Sequence, residues 1–217
     1  MSQSKKLPGG FFITLEGGEG AGKSTQSLRL AERLETLGYN VTRTREPGGS
    51  PGAEEIRELL VKGAPDRWSS NTETLLNYAA RDNHLSQTIR PALQNGHIVI
   101  CDRFMDSTRA YQGVAGDADP ALIQNLETVI IGQTMPDLTL VFDIDPHIGL
   151  NRTTSRLQNG EDRFENKPLS FHQTLRSAFL ELVNAEPQRC VLINAGNDIE
   201  MVFNDIWHNV ETRLNSL

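Results

Sequence analysis

Apolar residues along this chain come in two alternating rhythms. Short unbroken runs read as strands buried on both faces. They are Phe11-Phe12-Ile13-Thr14-Leu15, His97-Ile98-Val99-Ile100-Cys101, Leu138-Thr139-Leu140-Val141-Phe142 and Cys190-Val191-Leu192-Ile193, and the more polar Asn40 to Arg45 makes a fifth. Between them apolar residues recur at helical spacing. Ser24 to Leu37 places Leu28, Leu30, Ala31, Leu34 and Leu37 at such positions and stops at Gly38. Further helices are predicted over Ala53 to Val61, Thr72 to Leu93, Pro120 to Ile131, Leu169 to Ala185 and Ile199 to Leu214. Another starts at Ile148 and runs to Leu157, into a polar, arginine-containing stretch. Strands alternating with helices imply a parallel sheet with right-handed crossovers. Ligands of such sheets sit at the carboxyl ends of the strands, where Glu16, Arg45, Asp102 and Asp143 fall.

At 217 residues the chain is expected to be a single domain, residues 1–217, or one domain with a small insertion. Its 37% hydrophobic and 23% charged content is that of an ordinary globular protein. The net charge of −7 argues against a nucleic acid polymer as partner, though not against a mononucleotide met by a few local arginines. Cys101 and Cys190 both sit in apolar runs and read as reduced core residues of a cytoplasmic protein. Lys5 and Lys6 precede an apolar run, but that run leads through Glu16 into the next motif and so belongs to the fold. No stretch approaches membrane-spanning length, so no membrane association is expected.

Gly17-Gly18-Glu19-Gly20-Ala21-Gly22-Lys23-Ser24, followed by Thr25, matches the phosphate-cradling loop G-x-x-x-x-G-K-[ST]. Glycines let successive backbone N–H groups turn onto a polyphosphate, Lys23 reaches the β- and γ-phosphates, and the Ser24 hydroxyl ligates Mg²⁺. The strand before the loop and the helix after it supply the required setting, with the phosphates at a helix N-terminus. A second motif, Asp102-Arg103, follows the third strand. An aspartate there can hold Mg²⁺ through water, and an arginine beside it can grip a phosphate bidentately. The expected fold class is therefore α/β: a P-loop NTPase-type parallel five-stranded sheet flanked by helices. Two kinds of protein fit these residues, a phosphotransferase and a P-loop switch or motor ATPase.

The run Asp102-Arg103-Phe104-Met105-Asp106-Ser107-Thr108-Arg109-Ala110-Tyr111-Gln112-Gly113 resembles the signature of thymidylate (dTMP) kinases. So do Thr44-Arg45-Glu46-Pro47-Gly48-Gly49, Ala79-Ala80-Arg81 and Asp162-Arg163-Phe164-Glu165, in family order. The resemblance implies the reaction ATP + dTMP → ADP + dTDP, dependent on Mg²⁺, in a homodimeric enzyme with a short lid over about residues 152–166. A nucleoside monophosphate has a second phosphate pKa near 6, so the attacking oxygen is already ionised and needs no base. The task is to align two polyanions and neutralise a loose in-line transition state. Another acceptor, such as dUMP or UMP, is the nearest alternative.

By the same resemblance, Arg45 and Arg103 hold the acceptor phosphate, and Arg57 lines that site. Glu19 lies near the acceptor sugar and these arginines. Arg81 hydrogen-bonds thymine O4, with Thr108 and Gln112 on the N3 side. Tyr111 either walls the sugar pocket or packs in the core. Many family members carry a phenylalanine four residues before the base-binding arginine. Here that residue is Asn77, so either the adjacent Tyr78 stacks on the base or the pocket is less aromatic. Some members place a basic residue in the phosphate loop, where this chain has Gly20. An arginine at position 20 would then partly replace a lid arginine. The lid arginines Arg156 and Arg163 are the catalytic candidates beside Lys23 and Arg103, and Arg152 is read equally as a solvated charge.

Overall fold

The computed structural model describes residues 5–154 and 163–217. Five strands form one fully parallel sheet in the order β2-β3-β1-β4-β5. They are β1 (Phe11–Gly17), β2 (Val41–Arg45), β3 (Ile98–Asp102), β4 (Leu138–Asp143) and β5 (Cys190–Asn194). Helices α1 (Lys23–Thr36), α2 (Pro51–Val61), α3 (Ser70–His84), α4 (Arg90–Gln94), α5 (Met105–Thr108), α6 (Pro120–Leu126), α7 (Pro146–Thr154), α8 (Leu169–Ala185) and α9 (Ile199–Leu214) connect and cover them.

The period of two along β1 sorts its side chains. Phe11, Ile13 and Leu15 face a layer formed by α1 and α9, packing with Leu30, Leu34, Ile206 and Val210. Phe12 faces the other way, onto Tyr78, Leu85, Ile89 and Phe104. A third apolar cluster seats α8 beside β4 through Val141, Leu175 and Phe179. The helix predicted over Thr72 to Leu93 is α3 and α4 joined by a π-turn, Leu85–Ile89, and α6 likewise runs into a π-turn, Glu127–Ile131. Within the Asp102-to-Gly113 run the chain forms α5 and a further π-turn, Arg109–Val114, which periodicity did not signal. Leu28, counted among the apolar face of the first helix, is 45% exposed.

The register brings the strand ends together. Asp102 pairs with Leu15 on one side and Arg45 on the other. Gly22 caps α1 in the left-handed region, at φ 87°. Gly20, at φ 67°, lies so close to α7 that a Cβ there would stand 1.9 Å from the Gly149 carbonyl oxygen. A Cβ on Gly149 would stand 2.3 Å from the Glu19 carbonyl oxygen. The phosphate loop and α7 thus touch backbone to backbone, which corrects the expectation for an arginine at position 20. Gly20→Arg should not compensate for a lost lid arginine. Backbone strain alone costs about 1–3 kcal/mol at such a φ, and the clash adds to it. Thermal melts should show a lowered Tm, with weakened ATP binding by calorimetry.

Candidate active site

A cleft of about 570 Å³ opens at the carboxyl ends of β1, β2 and β3. The phosphate loop from Glu19 to Ser24 forms one wall. Arg45, Arg57, Arg81 and Arg103 converge on it from four different segments. Asn77, Thr108, Tyr111 and Gln112 line it, as do Thr153 at the end of α7 and Phe164 and Glu165 ahead of α8.

At the loop, Lys23 Nζ donates to the carbonyls of Gly17 at 3.1 Å and Gly18 at 2.8 Å. Burial, seconded by Arg103, lowers its pKa to about 8. Ser24 Oγ donates to Asp102 Oδ2 at 2.7 Å, so the two expected metal ligands are adjacent. Two hard oxygen donors beside a polyphosphate cradle suit Mg²⁺, which takes one or two protein oxygens and completes its shell with water and phosphate.

Arg103 is the one non-glycine residue at positive φ among the described residues, at 70°. Its N–H donates to Leu15 O at 2.9 Å, its Nη1 to Gly17 O at 2.7 Å, and its Nη2 to Glu19 Oε1 at 2.9 Å. Such strain persists only where surroundings over-determine it. Tyr111 also donates to Glu19, and the Arg103 guanidinium stacks over the Tyr111 ring. Burial would raise the Glu19 carboxyl, but Arg103 and Lys23 outweigh it and bring it down to about 2. Tyr111 lines the cleft and also packs edge-on against Phe164, Phe171 and Phe179.

Glu16, three residues earlier, behaves oppositely. It accepts from Phe104 N–H at 2.7 Å and Ser107 Oγ at 2.6 Å, which pins the segment after β3 to the end of β1. Burial and then the charge of Asp106 raise its carboxyl to about 7.

At the inner end, Arg81 is 2% exposed. Its Nε donates to Glu46 Oε2 at 2.8 Å and its Nη2 to Thr108 Oγ1 at 3.2 Å. Its Nη1 is buried without a partner. His84 Nδ1 meets the other Glu46 oxygen, and His84 Nε2 meets Thr44. Arg45 pairs with Glu54 in the open part of the cleft, and Arg57 reaches the Pro47 carbonyl.

Three expectations are corrected or left aside. Tyr78 is fully buried in the core cluster on the far side of α3 and does not line the cleft. Asn77 lines it instead, because four residues return a helix to the same face and three do not bring Tyr78 quite as far around. Arg163 is not a lid arginine facing phosphate. It is fully buried, donating to the carbonyls of Leu60, Ala64 and Pro65 and to the Glu73 carboxylate. Arg156 lies outside the described residues. Arg152 donates to the Ala195 carbonyl. Sequence reasoning placed Glu16 at a strand end and Glu46 in a motif without giving either a task, and passed over Glu73 and His84.

These environments set two expected outcomes. The folded protein holds a proton on Glu16 up to about pH 7, whereas the unfolded chain releases it near the ordinary 4.5. Between those values the folded state binds more protons, so this group's stabilisation is lost as pH rises through that window. Tm should fall from pH 5 to 7 in the parent, and Glu16→Gln should flatten that fall. Arg163→Ala strips a buried carboxylate of its cation, so it should cost about 3–5 kcal/mol in urea unfolding. An unfolding free energy like the parent's would show the contact to be weak.

The family model described as thymidylate kinase matches residues 15–206. A thymidylate kinase of Caulobacter vibrioides is 56% identical over 205 residues, covering 94% of this chain and 98% of that protein. One from Magnetococcus marinus is 50% identical over 204 residues, covering 94% and 97%. The crystal structure of thymidylate kinase from Ehrlichia chaffeensis superposes with a TM-score of 0.76 at 36% identity, over 94% of this chain and 99% of that one. A phosphate loop and a second basic site in one cleft, on this sheet order, agree with those matches: the chain belongs to the thymidylate kinase family, nucleoside monophosphate kinases of the P-loop fold.

Proposed function

We propose that this protein transfers the γ-phosphoryl group of ATP to dTMP, giving ADP and dTDP for dTTP synthesis. The observation that carries the reading is the shared cleft, with the phosphate loop on one wall and Arg45, Arg57, Arg81 and Arg103 on the others. A switch or motor ATPase has no use for a second basic site of this size.

Gly17 to Thr25 take the ATP phosphates on backbone N–H groups, with Lys23 at the β- and γ-positions. Ser24 and Asp102 would hold Mg²⁺, which neutralises charge between those phosphates. Arg45, Arg57 and Arg103 take the dTMP phosphate, whose ionised oxygen attacks in line. Arg103 is the pivot. Its donors to Gly17 and Glu19 fix its guanidinium against the phosphate loop before substrate arrives, so little reorganisation is needed as charge develops. Glu19 and Tyr111 border the acceptor sugar, and Arg81, Thr108 and Gln112 the base. The catalytic contribution expected of Arg163 passes to Arg103 and Lys23, with Arg156 as the lid candidate.

The working unit we propose is residues 1–217 as one domain, with a lid near 152–166, in a homodimer. Leu75, Val114 and Val129 are 51%, 54% and 81% exposed on neighbouring elements and offer an apolar face for a second copy. Cytoplasmic residence accords with the buried free thiols Cys101 and Cys190, and no described helix is long and apolar enough to cross a membrane.

The reading is tested by turnover with dTMP, UMP, AMP and GMP side by side, with ADP formation followed in each. dTMP should dominate, and phosphate release without any acceptor would overturn the assignment. Arg103→Ala should lower kcat by about a hundredfold or more, while ATP binding without dTMP stays near the parent's.

A further inference from the structure

Glu73 lies behind the inner end of the cleft, 6% exposed, on the first turn of α3. Its two carboxylate oxygens have separate partners. Oε1 accepts from Arg163 Nη2, and Oε2 accepts from Gln112 Nε2 at 2.8 Å. Arg163 cannot follow a moving partner, since each of its three nitrogens also donates to a carbonyl, of Ala64, Leu60 or Pro65. The Glu73 side chain is therefore held from behind.

A carboxylate paired with a guanidinium only accepts hydrogen bonds, so Gln112 must turn its NH₂ toward Glu73. Its Oε1 is then the end left for the cleft that Gln112 lines, and no donor from the described residues reaches that atom. Beside it, Arg81 has the opposite vacancy. Nε and Nη2 are bound to Glu46 and Thr108, and the buried Nη1 has no acceptor. The wall thus offers the cleft an acceptor of fixed sense, Gln112 Oε1, with the unpaired Arg81 Nη1 buried behind it. The N3–H of thymine or uracil meets that acceptor. Cytosine presents a bare N3 and has no proton to give it.

We propose that Glu73, backed by Arg163, is a specificity-positioning residue: it fixes the carboxamide of Gln112 so that the pocket admits imide pyrimidines and rejects cytosine. This rests on the acceptor reading above. A site whose buried polar groups would be left unpaired rejects the wrong partner strongly, which an apolar wall cannot do for bases of equal size. It also explains why Arg163 points inward.

The test is Glu73→Gln. Arg163 still demands an acceptor, so the carboxamide introduced there must offer it the oxygen and turn its own NH₂ toward Gln112. Gln112 then rotates, and its NH₂ faces the base. The ratio of kcat/KM for dTMP over dCMP should fall by about ten- to a hundredfold, the scale of one misdirected hydrogen bond to a buried group. Gln112→Ala should lower the same ratio, and Glu73→Gln added to it should change the ratio no further. Equal losses on both nucleotides in Glu73→Gln, or an unaltered ratio in Gln112→Ala, would overturn the proposal. If Glu73→Gln does not fold, the Gln112→Ala ratio decides alone. Failure of the parent protein to phosphorylate dTMP would instead sink the acceptor reading, a separate and visible result.

Discussion

A buried guanidinium has to be paired, and the whole cleft is organised around that constraint. Two arginines, Arg81 and Arg163, sit where water cannot solvate them and a third, Arg103, is largely shielded, and each is met by a carboxylate from another segment: Arg103 by Glu19, Arg81 by Glu46, Arg163 by Glu73. Removing one partner from such a pair costs far more than the pair contributes, so the geometry is rigid without being a large source of stability. Pairing also decides which donors remain. Glu46 and Thr108 occupy two edges of Arg81 and leave Nη1, whereas Arg163 has its donors committed and serves only as an anchor. The two arginines differ in how many of their donors the fold consumes.

The same logic separates two glutamates three residues apart. Glu16 lies under the sheet end, where burial and Asp106 raise it to about 7. Glu19 lies where Arg103 and Lys23 converge, and falls to about 2 despite burial. Glu19 thus keeps its charge at any pH the folded enzyme meets and holds Arg103 throughout. Glu16 instead spends part of that range protonated, because burial and Asp106 outweigh the Phe104 N–H and Ser107 hydroxyl, whose hydrogen bonds favour its charged form. Environment, not residue type, assigns the roles.

Strands and most helices were legible because their signals are local: apolar runs between turn residues, helical spacing, a glycine at a helix end. The phosphate loop and Asp102-Arg103 were legible because a contiguous motif carries a mechanism. What stayed hidden was long-range pairing. Glu46 and Arg81 are 35 positions apart, Glu73 and Arg163 are 90, and nothing in either neighbourhood announces the other. Arg163 was therefore read from its motif as facing phosphate, although a carboxylate far back in the chain turns it inward. Tyr78 failed for a different reason. Aromatic character suggested stacking, but the helix face decides, and that face gives the cleft Asn77 and sends Tyr78 into the core.

Gly20 shows how a missing side chain can be a positive requirement. Read along the chain, it is the place where a charge is absent. In three dimensions its Cα and that of Gly149 let the loop and α7 approach within contact of each other's carbonyls. A helix so seated cannot shift without pushing on the loop that cradles the phosphates, because neither contact has a flexible side chain to absorb the movement. The loop and α7 therefore form one backbone unit. A side chain at position 20, basic or otherwise, could be seated only by forcing the two apart.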